Sequence, residues 1–197
     1  MATVDYTKLT RVNEILRSSG MDDVTALGDT REAQMAEDTL DQIDREVQAR
    51  GWHFNTEREV SIAPNGSNKI DVPTDALRID PEDQTKNFIQ VGLEMFDVAN
   101  NTLTITETLD YKIVRYRDFT DLPPYAQDYI AARSARIFQD RMVGSSDAAR
   151  RLRDDENRAL AQLVQAEADT SDANALRHSF SVWRATGAPR RNPLLYP

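Results

Sequence analysis

Two adjacent prolines, Pro123 and Pro124, mark the seam between two parts of this chain of different character. A proline pair cannot sit inside a helix but can open one, because the missing N–H groups fall where the first turn has no partners. Tyr125, Tyr129, Phe138 and Met142, with Ile130 and Ile137 beside them, then recur at helical spacing and mark one apolar stripe. Asp118 and Asp121 stand just ahead, where carboxylates suit a helix N-terminus. Gly144 stops the helix, and Ser145-Ser146 offers a cap for the next. That fourth helix is expected from Ser146 to about Asp169, its seam formed by Ala148, Leu152, Ala159, Leu163 and Ala166, with Leu160 and Val164 widening the stripe.

The N-terminal side supplies two more helices. Leu9, Val12, Ile15 and Leu16 share a face between a cap at Asp5 or Thr7 and a stop at Gly20. A second helix opens at Asp29-Thr30-Arg31-Glu32, which resembles a capping box, and its seam is Ala36, Leu40, Ile43 and Val47. Its other face carries Glu37, Asp38, Asp41, Asp44, Arg45, Glu46 and Gln48. This face reads as solvated, or as an acidic surface turned to a partner or a lumen. Arg50-Gly51 ends the helix.

Extended structure is expected to begin at Trp52 and Phe54. Val60 and Ile62, the turn Pro64-Asn65-Gly66-Ser67-Asn68, and Ile70 and Val72 read as a hairpin. Further strands are expected at Leu77 and Ile79, at Phe88 to Val91, around Leu103 and Ile105, and from Tyr111 to Tyr116, with Leu93 to Val98 leading into a turn at Asn100-Asn101. The fold class is therefore mainly α with an inserted β-domain. A four-helix bundle (residues 1–52 and 118–170) carries a small antiparallel sheet (residues 53–117) and an extended C-terminal arm (residues 171–197).

The arm stands apart in composition. Residues 173–197 contain no Asp or Glu, yet hold Arg177, Arg184, Arg190 and Arg191 with Phe180, Trp183 and Tyr196. Such residues dominate interface energetics, so Arg177, Phe180, Trp183, Arg184, Arg190, Arg191 and Tyr196 are candidate partner contacts.

A catalytic constellation is hard to find. Seven glycines form neither a phosphate loop nor a dinucleotide fingerprint, and there is no Gly-x-Ser-x-Gly. His53 and His178 lack ligand-type spacing, and the absence of cysteine removes thiol nucleophiles and cysteine zinc sites. Asp80, Glu82 and Asp83 flank Pro81 in what reads as an acidic turn rather than a cation loop. No cofactor or metal is expected, and no enzymatic activity. Apolar runs of a few residues exclude a transmembrane helix, and Met1 to Tyr6 lacks the layout of a signal peptide, so synthesis in a cytoplasm is expected. A net charge of −9 argues against general DNA binding, though not against letting DNA pass without sticking.

Three motifs carry a family resemblance. Arg50-Gly51-Trp52-His53-Phe54-Asn55 resembles the Arg-Gly-Trp-x-Phe-Asn signature of the tail tubular protein A family, the head-to-tail adaptors of short-tailed phages. Arg117-Asp118-Phe119-Thr120-Asp121-Leu122-Pro123, followed by Ala135-Arg136-x-Phe138-Gln139-x-Arg141-x-x-Gly144, is similar to a second block, and Val12-Asn13-Glu14-Ile15-Leu16 with Gly20 to a third. The resemblance implies a helical bundle with an inserted β-domain. It implies a dodecameric ring in the virion, between the portal protein and the tail nozzle (tail tubular protein B), through which double-stranded DNA leaves without specific binding, with tail fibres attached nearby and no membrane contact. Gly51, Trp52, Phe54, Pro123 and Gly144 are expected to be structural, Trp52 and Phe54 plugging the joint between bundle and sheet. The competing readings are a tail-associated glycan-degrading hydrolase and, disfavoured by charge, a nucleic-acid-binding module.

Overall fold

The computed structural model describes residues 7–178. Four helices, α1 (Lys8–Ser18), α2 (Arg31–Gln48), α3 (Pro124–Met142) and α4 (Ser146–His178), enclose one core, with β1 (Thr56–Ile62), β2 (Ala76–Pro81), β3 (Phe88–Val91), β4 (Glu94–Asp97) and β5 (Leu109–Arg115) inserted between α2 and α3. The fold is mainly helical α+β, as expected. Among the described residues no helix is long and apolar enough to cross a membrane.

Side-chain caps start the first two helices. The Thr7 hydroxyl accepts the Thr10 N–H, and the Thr30 hydroxyl accepts the Ala33 N–H. Pro124 is the first residue of α3, behind Pro123 at the cap position, and Gly144 follows the helix at φ 66°. The bundle core gathers Val12, Ile15 and Leu16 of α1, Ala36, Leu40, Ile43 and Val47 of α2, Tyr129, Ile130 and Phe138 of α3, and Leu163 of α4. Two details of α4 differ from the sequence reading. The helix continues past Asp169 to His178, because nothing between them breaks a helix, and Val164 is half-exposed rather than part of the seam.

Strand order is where local patterning misleads. β1 does not form a hairpin with residues 70–72; it pairs antiparallel with β5, Thr56 opposite Val114 and Ile62 opposite Leu109. β2 pairs on the other side of β5, giving the order β1-β5-β2. The insertion thus leaves and rejoins the bundle through neighbouring strands, which fixes both of its roots at one place. Ile70 and Val72 face β4 instead, through the Asp71–Glu94 bridge and hydrogen bonds of 2.8 and 3.0 Å. β3 and β4 form a separate ribbon. Gly92 at φ 64° occupies the first central position of its two-residue turn, where glycine suits a type II′ hairpin. Residues 103–105 form no strand, although Ile105 is buried. A second core, Ile70, Val72, Ile79, Met95, Ile105, Tyr111 and Ile113, belongs to the sheets.

Candidate functional site at the joint of bundle and sheet

Trp52 and Phe54 do not begin a strand. Trp52 caps a single 3-10 turn, His53–Asn55, which redirects the chain from α2 into β1. Gly51 makes this possible. Its φ is 79°, and a Cβ there would lie 2.8 Å from Val114 Cγ2 and 3.1 Å from the Arg78 guanidinium. The Trp52 indole N–H donates to the Val47 carbonyl at 2.7 Å, while the rings of Trp52 and Phe54 pack half-buried on the bundle core.

Beneath them lies a polar network that joins helix to strand. Buried Asn55 accepts the Trp52 N–H at 2.9 Å and donates to the carbonyls of Gln48 and Arg115, both at 3.0 Å. The Gln48 amide donates to the Arg117 carbonyl at 2.8 Å and accepts the Arg117 N–H at 2.9 Å. It also donates to Asp44 at 2.9 Å, and the Tyr116 hydroxyl donates to the other Asp44 oxygen at 3.0 Å. Arg45 covers the Tyr116 ring at 5.4 Å from its centroid. The Arg117 backbone and the Tyr116 hydroxyl, on the two residues past the end of β5, are thereby held by side chains of α2.

Asp44 is fully buried. Burial pushes its pKa up, Asp41 adds to this, and the donors Gln48 and Tyr116 pull the other way. Tyr116 is raised by burial and by Asp44, and Tyr111 is pushed up to about 12 chiefly by burial. Three carboxylates of buried residues have partners: Asp44 as above, Asp97 with Asn100, and Glu156 with Arg136 and Arg133. Among the described residues no cluster of three or more His, Cys, Asp or Glu could hold a metal ion.

Of the residues singled out in the sequence, Gly51, Trp52 and Phe54 meet at this joint. Pro123 and Gly144 lie apart from it, at the two ends of α3. Arg177 falls in the last turn of α4, and Phe180, Trp183, Arg184, Arg190, Arg191 and Tyr196 lie outside the described residues. Asp44 and Gln48 correct the sequence reading: placed there on the solvated face of α2, both are fully buried. The signal was faint but present, since each follows directly on a seam residue, Ile43 and Val47, and the two are spaced i, i+4.

Two surfaces stand out away from the joint. A groove of about 210 Å³ between α2 and α3 has Met35, Phe138 and Met142 in its lining, with Asp38, Gln42 and Arg141. The β3–β4 ribbon exposes Ile89, Val91 and Leu93. None of the curated proteins matches this chain. The family of tail tubular proteins does, over residues 9–173, from α1 through most of α4. The chain belongs to that family.

Proposed function

We propose that this tail tubular protein, a structural component of a phage tail, is the head-to-tail adaptor of its virion. Twelve copies form a ring between the portal and the tail nozzle, enclose part of the channel through which DNA is ejected, and offer tail fibres a platform. The family match carries the reading, because it spans the bundle and the inserted sheets together. The physics supports it. A net charge of −9 favours a channel that repels phosphate rather than gripping it. A ring also needs subunits that keep their shape under load, and a sheet clamped to α2 by buried hydrogen bonds on both of its roots meets that need.

Residues 1–52 and 118–170 act as the bundle, residues 53–117 as the β-domain, and residues 171–197 as the portal-binding arm. Arg177, Phe180, Trp183, Arg184, Arg190, Arg191 and Tyr196 make the arm's contacts, joining when the head is ready. The protein acts without catalysis or cofactor. Its mass in solution, alone and mixed with portal rings, tests this: a twelve-copy complex is expected with portal. A chain lacking residues 173–197 should remain folded and fail to join portal; normal joining by the shortened chain would remove the arm from this role.

A further inference from the structure

Half of the large apolar side chains that are exposed among the described residues lie on or beside one element, the β3–β4 ribbon: Ile89, Val91, Leu93 and Val98. Its inner face is used, since Met95 is buried and Phe88 packs on the sheet core. Its outer face is not. There Ile89 stands opposite Phe96, and Val91 opposite Glu94. The Gly92 turn carries Leu93 to the tip at 58% exposure. A two-stranded ribbon wet on one apolar face is marginal by itself and gains from cover.

A complementary shape exists elsewhere on the chain. The α2–α3 groove, at about 210 Å³, is below the roughly 300 Å³ where small-ligand pockets begin, and suits one or two aliphatic side chains. Its apolar lining is Met35, Phe138 and Met142, and its rim holds one acid and one base, Asp38 and Arg141. Arg141 leans on Gln42 at 3.4 Å. Beside the ribbon tip stands the matching pair, Glu94 of β4 and Lys69 of the segment alongside it, bonded to each other at 2.9 Å. Within one chain these surfaces are kept apart. The ribbon lies beyond the joint at the end of α2, whereas Met35 lies about 20 Å back along that helix, at 1.5 Å per residue.

We propose that the Leu93 tip of one copy seats in the Met35–Phe138–Met142 groove of the next, Glu94 turning to Arg141 and Lys69 to Asp38. A knob on one surface and a hole on another make a heterologous contact, the kind that closes rings. This rests on the reading of the protein as a ring.

The chain has no cysteine, so introduced ones report cleanly. Leu93→Cys combined with Met35→Cys should give a disulfide-linked ladder under mild oxidation of the portal-bound assembly. The two single variants mixed in equal amounts should give dimers only, and either alone none. Leu93→Asp should weaken assembly at least tenfold with an unchanged thermal midpoint. Linking by Leu93→Cys alone, or assembly untouched by Leu93→Asp, overturns the contact. Wild-type chains that assemble while the double variant does not link overturn it and leave the ring standing. Wild-type chains that never assemble, with or without portal, remove both.

Discussion

Gln48 reads the backbone of Arg117 as a neighbouring strand would, giving one hydrogen bond to its carbonyl and taking one from its N–H across 69 residues of sequence. The residues between them are the whole inserted region, so this one amide ties the base of the sheets to the last turn of α2. Replacing Gln48 by Leu fills similar volume but leaves two backbone groups and Asp44 short of partners. A loss of about 3 kcal/mol in urea unfolding is expected. Gln48→Glu should cost at least as much at neutral pH, since a carboxylate can neither donate to Arg117 nor sit comfortably beside Asp44.

Asp44 sets a pH dependence of definite sign. Its carboxyl is raised in the folded state, so the folded chain holds this proton more tightly than the unfolded one. Stability should therefore rise as pH falls through the folded value and level off at the ordinary carboxylate range. Asp83 and Asp97, lowered by donors from Thr85 and Asn100, act in the opposite sense and only at lower pH. Urea midpoints taken from about pH 7 to about pH 5 should climb in the wild type and lose that Asp44 contribution in Asp44→Asn. The asparagine can still accept from Gln48, and its amide can donate to a reoriented Tyr116 hydroxyl. It should lie within about 1 kcal/mol of the protonated wild type.

How far the sequence reveals this arrangement differs by element. The seam Ala36, Leu40, Ile43 and Val47 is legible because burial of α2 on its helical neighbours repeats with helical period. Asp44 and Gln48 are not, because what covers them is the end of β5, brought there by strand pairing rather than by anything near them in sequence. The same distance hides the partner of β1. Val60 and Ile62 stand only a few residues before the turn at residues 64–68, so local rules favour Ile70 and Val72 as partners; β5, some fifty residues on, offers two edges and takes both β1 and β2. The real tight turn, Gly92-Leu93, lacks the asparagine or aspartate that usually advertises one. At the joint, Gly51, Trp52, Phe54 and Asn55 can be picked out by resemblance, whereas their contacts with Val47, Gln48 and Arg115 need the fold.

Gly51 carries two separable costs. An alanine must adopt φ 79°, worth about 1 kcal/mol, and must place its Cβ 2.8 Å from Val114 Cγ2, worth about 2 kcal/mol more where a buried side chain cannot yield. Gly51→Ala is expected to lose about 3 kcal/mol. In a double-mutant cycle, Val114→Ala should return the second part and leave the first. Simple additivity between the two substitutions would mean that the close approach at Val114 is relieved elsewhere.

Glu156 governs how α4 is held. It is the buried charge among the described side chains of that helix, and it faces Arg136 and Arg133, both mostly covered, on α3. Removing it leaves two guanidinium groups with less than their full complement of acceptors: Arg133 keeps Glu46 at 2.5 Å, and Arg136 keeps Asp140 at 3.3 Å. Because each arginine retains one partner and some water, the loss for Glu156→Ala should be about 1–3 kcal/mol, less than for an isolated buried pair. It should also be local. Among the described side chains the apolar hold on α4 is thin, one fully buried Leu163 supported by Leu152, Ala159 and Leu160, so opening of α4 is the cheapest escape. Amide exchange should therefore quicken across residues 150–165 and stay unchanged at Val47, Gln48 and the β5 amides. Equal acceleration at the joint would mean that α4 and the sheet unfold as one unit.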